Sequence, residues 1–388
     1  MPVRPAPRRP ESAAWWLGGV LGALGCHPAS TVADSAPSDS ASPAACSAVV
    51  DPSAPMDFLS LIGRLSDQRC LQTADQNALA VQMQLFHAQQ TVWCDAVYRL
   101  SSPDGLWFEG TPELVHEHAS VPDVAITATG EQIVVYNDLD PDLLIDTLRT
   151  DPARFWRQGL LGLGGLGMAV NDGTGFVDAS FDAHFDALSE VVDPDLYALP
   201  NGDLRFAWYA VPAGRLPAGT WDPYMADKPH AFFRSESSDS ADFPSAGTIV
   251  QSSDGDQGDA DPTMLSLPDG GEVLYASSWD QTAKGWTSPD AVAWDVNSPP
   301  AVDTLLEAAG PDTLPDGAGG YRMYYVDSVA LVESMATSSD GLTWTAYGQV
   351  MQLPGASGGS VARAPDGTWW IYFNIPDATC VQSASSGG

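Results

Sequence analysis

Acids recur in one local setting along this chain. Asp123, Asp195 and Asp312 each follow a proline, and Asp261 precedes one, in "VPDVAITATG", "DPDLYALPNG", "GPDTLPDG" and "DPTMLSLPDG", where the acid opens a short apolar run. Carboxylates brought together from separate segments raise one another's pKa, so that one holds a proton while another stays ionised, as general acid–base chemistry requires. Glu190 and Glu307 stand five residues before Asp195 and Asp312. Alternating acids also chelate hard cations. Asp138, Asp140 and Asp142 in "NDLDPD", and Asp254, Asp256, Asp259 and Asp261 in "SSDGDQGDAD", are candidates for Ca²⁺ as a cofactor. Neither run fits a complete EF-hand loop, and a solvated acidic loop is the plainer reading of each. Gly162 to Gly167 matches G-x-G-x-x-G without the βαβ setting of a dinucleotide site, and His116-Glu117-His118 lacks a third metal ligand at useful spacing.

The elements that must position these acids announce themselves by a repeated turn. Ser338, Asp340 and Trp344 in "ATSSDGLTW" have the spacing S-x-D-x-x-x-W, and Ser288, Asp290 and Trp294 have it again. Ser237, Asp239 and Phe243 carry a different aromatic, Ser102, Asp104 and Trp107 are one residue shorter, and Asp172 to Phe176 is a degenerate copy. Downstream of each copy lies a short strand, a turn rich in Pro, Asp, Asn and Gly, and an aromatic or β-branched strand, which is hairpin chemistry. A hairpin (strands A and B), a strand C ending in the S-x-D turn, and a return strand D make a four-stranded antiparallel unit. Five such units predict an all-β, five-bladed β-propeller over residues 91–381, with a β-sandwich as the alternative. Serine and aspartate of the repeated turn are expected to bind its own backbone, and Trp344 to fill the space between blades.

The first strand C, "CDAVYRLSSPDGLWF", lacks a hairpin, and the last hairpin, "GGSVARAPDGTWWIYFN", lacks strands C and D. Joining them closes the ring with both termini in one blade and removes exposed sheet edges. Cys94 and Cys380 flank the two ends that must meet, so a Cys94–Cys380 disulfide is expected, leaving Cys46–Cys70. Closing so long a loop stabilises by roughly 4–5 kcal/mol where the geometry is unstrained. In a propeller strand A lines the central channel. Asp123, Asp195 and Asp312, with Asp261 two residues earlier in register and Ser360 in the fifth blade, therefore start their strands at one mouth of it. Hydrogen bonding to backbone amides at the blade ends is the structural alternative for each of these acids. The longest insertions, about Leu139 to Met168 and Val211 to Lys228, join strands B and C at that same face. They carry Arg154, Phe155, Trp156 and Arg157, then Trp221 and Tyr224, and aromatics flanked by polar groups suit a sugar-binding rim as well as simple packing.

From about Cys94 to Asn374 these x-P-D strand starts and "ATSSDGLTW" elements resemble the five-bladed propeller glycosidases, the arabinanase, β-xylosidase and invertase superfamily. That resemblance implies a glycoside hydrolase in which a first-blade Asp is base or nucleophile and a later Glu is general acid. In arabinanase-type members a further Asp orients the acid and tunes its pKa. By position Asp123 matches the first-blade Asp and Asp195 the second-blade Asp. The third-blade position of the Glu holds Asp259 and Asp261 instead, which leaves Glu307 and Glu190 as the nearest substitutes for the acid. Asp261, Asp312, Arg154, Trp156 and Trp221 are then the expected substrate contacts. The alternative is a non-catalytic propeller that serves as a binding or scaffold protein.

Residues 1–26 have a basic start (Arg4, Arg8, Arg9), a short apolar run and Ala23-Leu24-Gly25-Cys26, which resembles a bacterial lipobox with Cys26 as the lipidated residue. An ordinary secretory signal is the alternative. Residues 27–55 read as a disordered Ala/Ser/Pro/Asp linker, 56–90 as a partly helical segment, and 382–388 as a disordered tail. The expected location is the bacterial cell envelope, anchored or secreted, with membrane contact only through the lipid. Fifty acidic against 16 basic residues, a net charge of −34, argue against nucleic acid as a partner. A carbohydrate partner and a monomeric state complete the expectation.

Overall fold

The structure is a computed structural model. It describes residues 95–139, 165–180, 188–199, 201–212, 230–238, 243, 248–253, 260–277, 282–290, 301–303, 307–330, 332–353 and 356–376. Cys26, Cys46, Cys70, Cys94, Cys380, Arg154, Trp156 and Trp221 lie outside these residues, as do the signal, linker, 56–90 and tail segments.

Within them the chain is entirely strand and turn. It begins with β1 (Asp95–Ser102) and β2 (Glu113–Glu117). Blade I follows as β3 (Ala119–Ile126), β4 (Gln132–Asp138), β5 (Leu166–Asn171) and β6 (Phe176–Asp178). Blade II is β7 (Leu188–Ala198), β8 (Leu204–Pro212), β9 (His230–Ser237) and β10 (Thr248–Ser253). Blade III is β11 (Ala260–Ser266), β12 (Glu272–Ser277), β13 (Ala283–Ser288) and β14 (Val302–Asp303). Blade IV is β15 (Ala308–Pro315), β16 (Tyr321–Asp327), β17 (Val332–Ser338) and β18 (Thr345–Gln349). The final hairpin, β19 (Ser357–Arg363) and β20 (Trp369–Pro376), takes up β1 and β2 in the order β19-β20-β1-β2, so blade V is built from both ends of the chain. β20 and β1 pair without a break from Asp95↔Pro376 to Ser102↔Trp369. The expected five-bladed propeller and its closure by the terminal strands are both present.

The core lies in the seams between blades rather than inside any one of them. Seam I–II packs Ile133, Val135 and Met168 on Phe206, Trp208 and Phe243, and seam IV–V packs Tyr324, Met335 and Val350 on Trp369, Ile371 and Phe373. Comparable clusters fill II–III, III–IV and V–I. The B strands β4 and β12 are therefore buried on both faces, which explains their unbroken apolar runs. Each fully buried large side chain contributes about 1.5–3 kcal/mol.

The repeated turn is architecture. Ser338 Oγ donates to Asp340 Oδ1 (2.9 Å) and accepts from the Gly341 N–H (2.8 Å). Asp340 Oδ1 accepts from the Leu342 and Thr343 N–H groups (2.8 and 2.7 Å). Ser102, Asp104 and Gly105 repeat the arrangement. Gly341 has φ 75°, and a Cβ there would meet Leu267 Cδ2 of blade III at 2.8 Å, so only glycine fits. Trp344 Nε1 donates to Tyr275 Oη of blade III (2.9 Å) and fills seam III–IV as expected. The shorter copy differs: Trp107 is 41% exposed.

Candidate functional site

Every innermost strand carries a bulge at the same point. Register shifts precede Asp123 in β3, Asp195 in β7, Thr263 in β11, Asp312 in β15 and Ser360 in β19. Two residues before each of these, the backbone is left-handed: Val121 (φ 46°), Asp193 (52°), Asp261 (51°), Gly310 (55°) and Gly358 (65°). A non-glycine residue so placed costs about 1–3 kcal/mol, which the surrounding packing must offset. The bulge turns the next side chain but one toward the neighbouring blade.

What that side chain does there is uniform around the ring. Asp123 Oδ1 accepts the Leu196 N–H of blade II (3.1 Å), and Asp195 Oδ2 accepts the Met264 N–H of blade III (3.2 Å). Thr263 Oγ1 accepts the Thr313 N–H of blade IV (3.1 Å), and Asp312 Oδ2 accepts the Val361 N–H of blade V (2.5 Å). Ser360 Oγ accepts the Val124 N–H of blade I (3.2 Å) and completes the circle. Five side chains thus latch five blades, each to the residue one past the equivalent position in the next. Thr263 rather than Asp261 occupies the third-blade latch, consistent with the two-residue offset of Asp261 in the sequence.

Three of the five latches are acids, and one oxygen from each of Asp123, Asp195 and Asp312 lies within 4.8 Å of the others. All three are buried. Burial, then the charges of Asp312 and Asp195, push Asp123 well above the ordinary carboxylate range. Burial and Asp312 raise Asp195 to about 8, and burial raises Asp312 to about 7. Three acids so placed do not all ionise at neutral pH; they share protons or, chemically, suit a hard cation.

Glu307 stands apart. Its side chain is exposed just before β15, and its backbone carbonyl accepts the Ser328 N–H. Glu190 lies in β7 with its side chain outside the described residues. Sequence reasoning missed Glu333 at the start of β17. It is 3% exposed, neither oxygen has a hydrogen-bond partner among the described residues, and burial and the charge of Asp312 raise it to about 8. Its carboxyl occupies the space a side chain on Gly359 of blade V would take, with Oε1 2.5 Å from the Cβ position. The Gly358-Gly359 pair opposite was the available signal.

Asp261 forms a second acidic group with Asp193, outside the latch ring. The Asp261 N–H and the Asn137 side-chain amide both donate to Asp193, while Ser277 and the Gly310 N–H hold Asp261. Burial and the charge of Asp261 push Asp193 well up, and burial raises Asp261.

The sequence matches no protein-family model and no curated protein. Among solved structures it is similar to a protein of unknown function from Dyadobacter fermentans DSM 18053, at 13% identity over 73% of this chain and 84% of that one, with a TM-score of 0.44. It is also similar to an endo-1,4-beta-xylanase from Bacteroides thetaiotaomicron VPI-5482, at 13% identity over 68% and 87% of the two chains, TM-score 0.43. A third is a xylan beta-1,4-xylosidase from Bacillus halodurans C-125, at 11% identity, 66% and 52%, TM-score 0.45; this chain spans about half of that protein's length. Likenesses of this degree carry no chemistry across to this chain.

Proposed function

We propose that the chain is an exported, lipid-anchored propeller of the bacterial cell envelope that binds carbohydrate at the upper face, where the innermost strands begin, without hydrolysing it. The observation behind binding rather than hydrolysis is the use of Asp123, Asp195 and Asp312 as inter-blade latches. A glycosidase needs two carboxyl groups free to act, about 5–5.5 Å or 6.5–9.5 Å apart. Here the oxygens gather within 4.8 Å, each acid already accepts a backbone N–H, and Glu307 is exposed. Carbohydrate is favoured because the chain leaves β4 and β8 at the upper face into the two connections whose sequences carry Arg154, Trp156 and Trp221. Sugars present apolar faces edged by hydroxyls, which aromatic and polar side chains together suit. Anchoring rests on Cys26 and the tether after it.

The test is a glycan-binding screen beside turnover of aryl-glycosides and polysaccharides, with wild type and Asp123→Asn. Binding without turnover in either protein is expected. No binding to any glycan removes the sugar reading. One observation favours hydrolysis: Glu333, protonated at neutral pH and within reach of the charge of Asp312, has the state required of a general acid. Turnover that disappears in Glu333→Gln decides for that reading. Fatty-acid labelling of cells expressing the full chain, lost in Cys26→Ala, tests the anchor.

A further inference from the structure

Buried oxygen acceptors without donors gather where blades I, II and III meet. Asn137, at the upper end of β4, gives its amide N–H to Asp193, and its Oδ1 is then left with no partner among the described residues. Asp193 takes that bond and the Asp261 N–H, yet its Oδ2 also has no partner among the described residues. The two side chains are 2% and 5% exposed, so water at the surface does not satisfy them. A buried acceptor left unmade costs stability, more when charged, and two on adjoining side chains are rare. Asp261 adds a second carboxyl to the same place, and its residue is only half-buried, which leaves a way in from the upper face. No influence on either carboxyl comes from a cationic side chain among the described residues. The Asn137 amide group, the one nitrogen donor among these three side chains, is already turned to Asp193.

We propose that the junction of blades I, II and III is a binding site for a hard divalent cation, Ca²⁺, ligated by Asn137 Oδ1, Asp193 Oδ2 and a carboxyl oxygen of Asp261. Ca²⁺ takes carboxylate and amide oxygens together with water in flexible geometry, and two charges with one neutral carbonyl are a common ligand mixture. The ion supplies the positive charge that this junction lacks, and it joins three blades. The site is distinct from the Asp123, Asp195 and Asp312 ring, in which one oxygen of each acid accepts a backbone N–H of the next blade. It does not depend on the saccharide reading, because its readout is metal binding.

The experiment uses the full exported chain, stripped with EDTA, with titration calorimetry and thermal melting in CaCl₂ against NaCl at matched ionic strength. Saturable binding in the range of extracellular Ca²⁺ modules, roughly 0.1–1 mM, is expected, with a rise in melting temperature that NaCl does not reproduce. Asp261→Asn and Asn137→Ala should each weaken binding about tenfold or more. Asp261→Asn should at the same time melt higher than wild type without Ca²⁺, since it removes a like charge beside buried Asp193, so lost binding there is not lost folding. Asp195→Asn should bind as wild type does. Loss of binding in Asp195→Asn with retention in Asp261→Asn places the ion in the latch ring and overturns the proposal. Equal effects of NaCl and CaCl₂, or no binding at about 10 mM, overturn it as well.

Discussion

Replacing Asp195 by Asn should make the protein less sensitive to alkali while leaving its latch in place. The introduced asparagine side chain keeps an oxygen to accept the Met264 N–H, now made to Asp195 Oδ2 at 3.2 Å, so the contact survives and only the charge goes. In the folded wild type, burial and the charge of Asp312 raise Asp195 from 3.8 to about 8. The unfolded chain therefore ionises this group first. Its contribution is fully favourable below about pH 4, is lost as pH rises, and is gone above about pH 8. A rise from 3.8 to about 8 corresponds to roughly 6 kcal/mol, of which about 4 falls between pH 5 and pH 9. That is a large share of the 5–15 kcal/mol by which domains are stable. Other raised acids, Asp95, Asp312 and Glu333, slope the same way, so the difference between variant and wild type reports Asp195 together with the part of the Asp123 rise that its charge causes. Urea unfolding at pH 5, 7 and 9, at constant ionic strength with EDTA, should show the variant gaining several kcal/mol on the wild type across the range. Parallel curves at all three pH values would refute the charge-burial account of the ring.

Other outcomes follow from single contacts. Asp340→Ala removes an acceptor of two backbone N–H groups and should cost about 1 kcal/mol in denaturant unfolding, with no change in glycan binding. Glu333→Gln removes a buried, unpartnered acid and should stabilise at pH 9 but not at pH 5, because the raised pKa of about 8 puts its charge cost at the alkaline end. Peptide mapping without reduction should link Cys94 to Cys380, which flank the paired ends of β1 and β20; a Cys70–Cys94 peptide would overturn that pairing.

The blades were readable because their turns are short and chemically narrow. Ser338, Asp340 and Gly341 leave little alternative to one backbone path, and five copies fix the count and the order of strands. Closure by β20 and β1 followed from the missing hairpin at one end and the missing strands at the other. The bulge was half visible: prolines 122, 194, 262 and 311 mark it, but left-handed Val121, Asp193 and Asp261 are not what residues before proline ordinarily adopt. Because the prolines align, the residue after each is the latch, and the equivalent of Asp123 is Thr263 rather than Asp261. Glu333 was hidden for a different reason. A glutamate in a C strand has no local mark of burial, which here comes from Gly359 across a seam, some two dozen residues along the chain. The orphan oxygens of Asn137 and Asp193 likewise arise only from contacts between blades.

Holding blades together does not require acids, as Thr263 and Ser360 show by accepting the same N–H with a hydroxyl. A hydroxyl carries no charge to bury, so a ring of five hydroxyls would latch as well without the mutual repulsion that raises Asp123, Asp195 and Asp312. The three acids are therefore more than the latch needs, and they stand together in blades I, II and IV at one end of the channel. Exchanging Asp195 for Thr separates the two roles. If latching is the whole role, the variant melts at least as high as wild type at pH 8 and binds the same glycans with unchanged affinity. If the acid also meets a ligand, the fold holds and affinity falls by about tenfold or more, the usual loss when a charged hydrogen-bonding group is removed from a binding site. The acidic cluster and the saccharide reading predict the second result; an unchanged affinity in a well-folded Asp195→Thr protein assigns the ring to architecture alone.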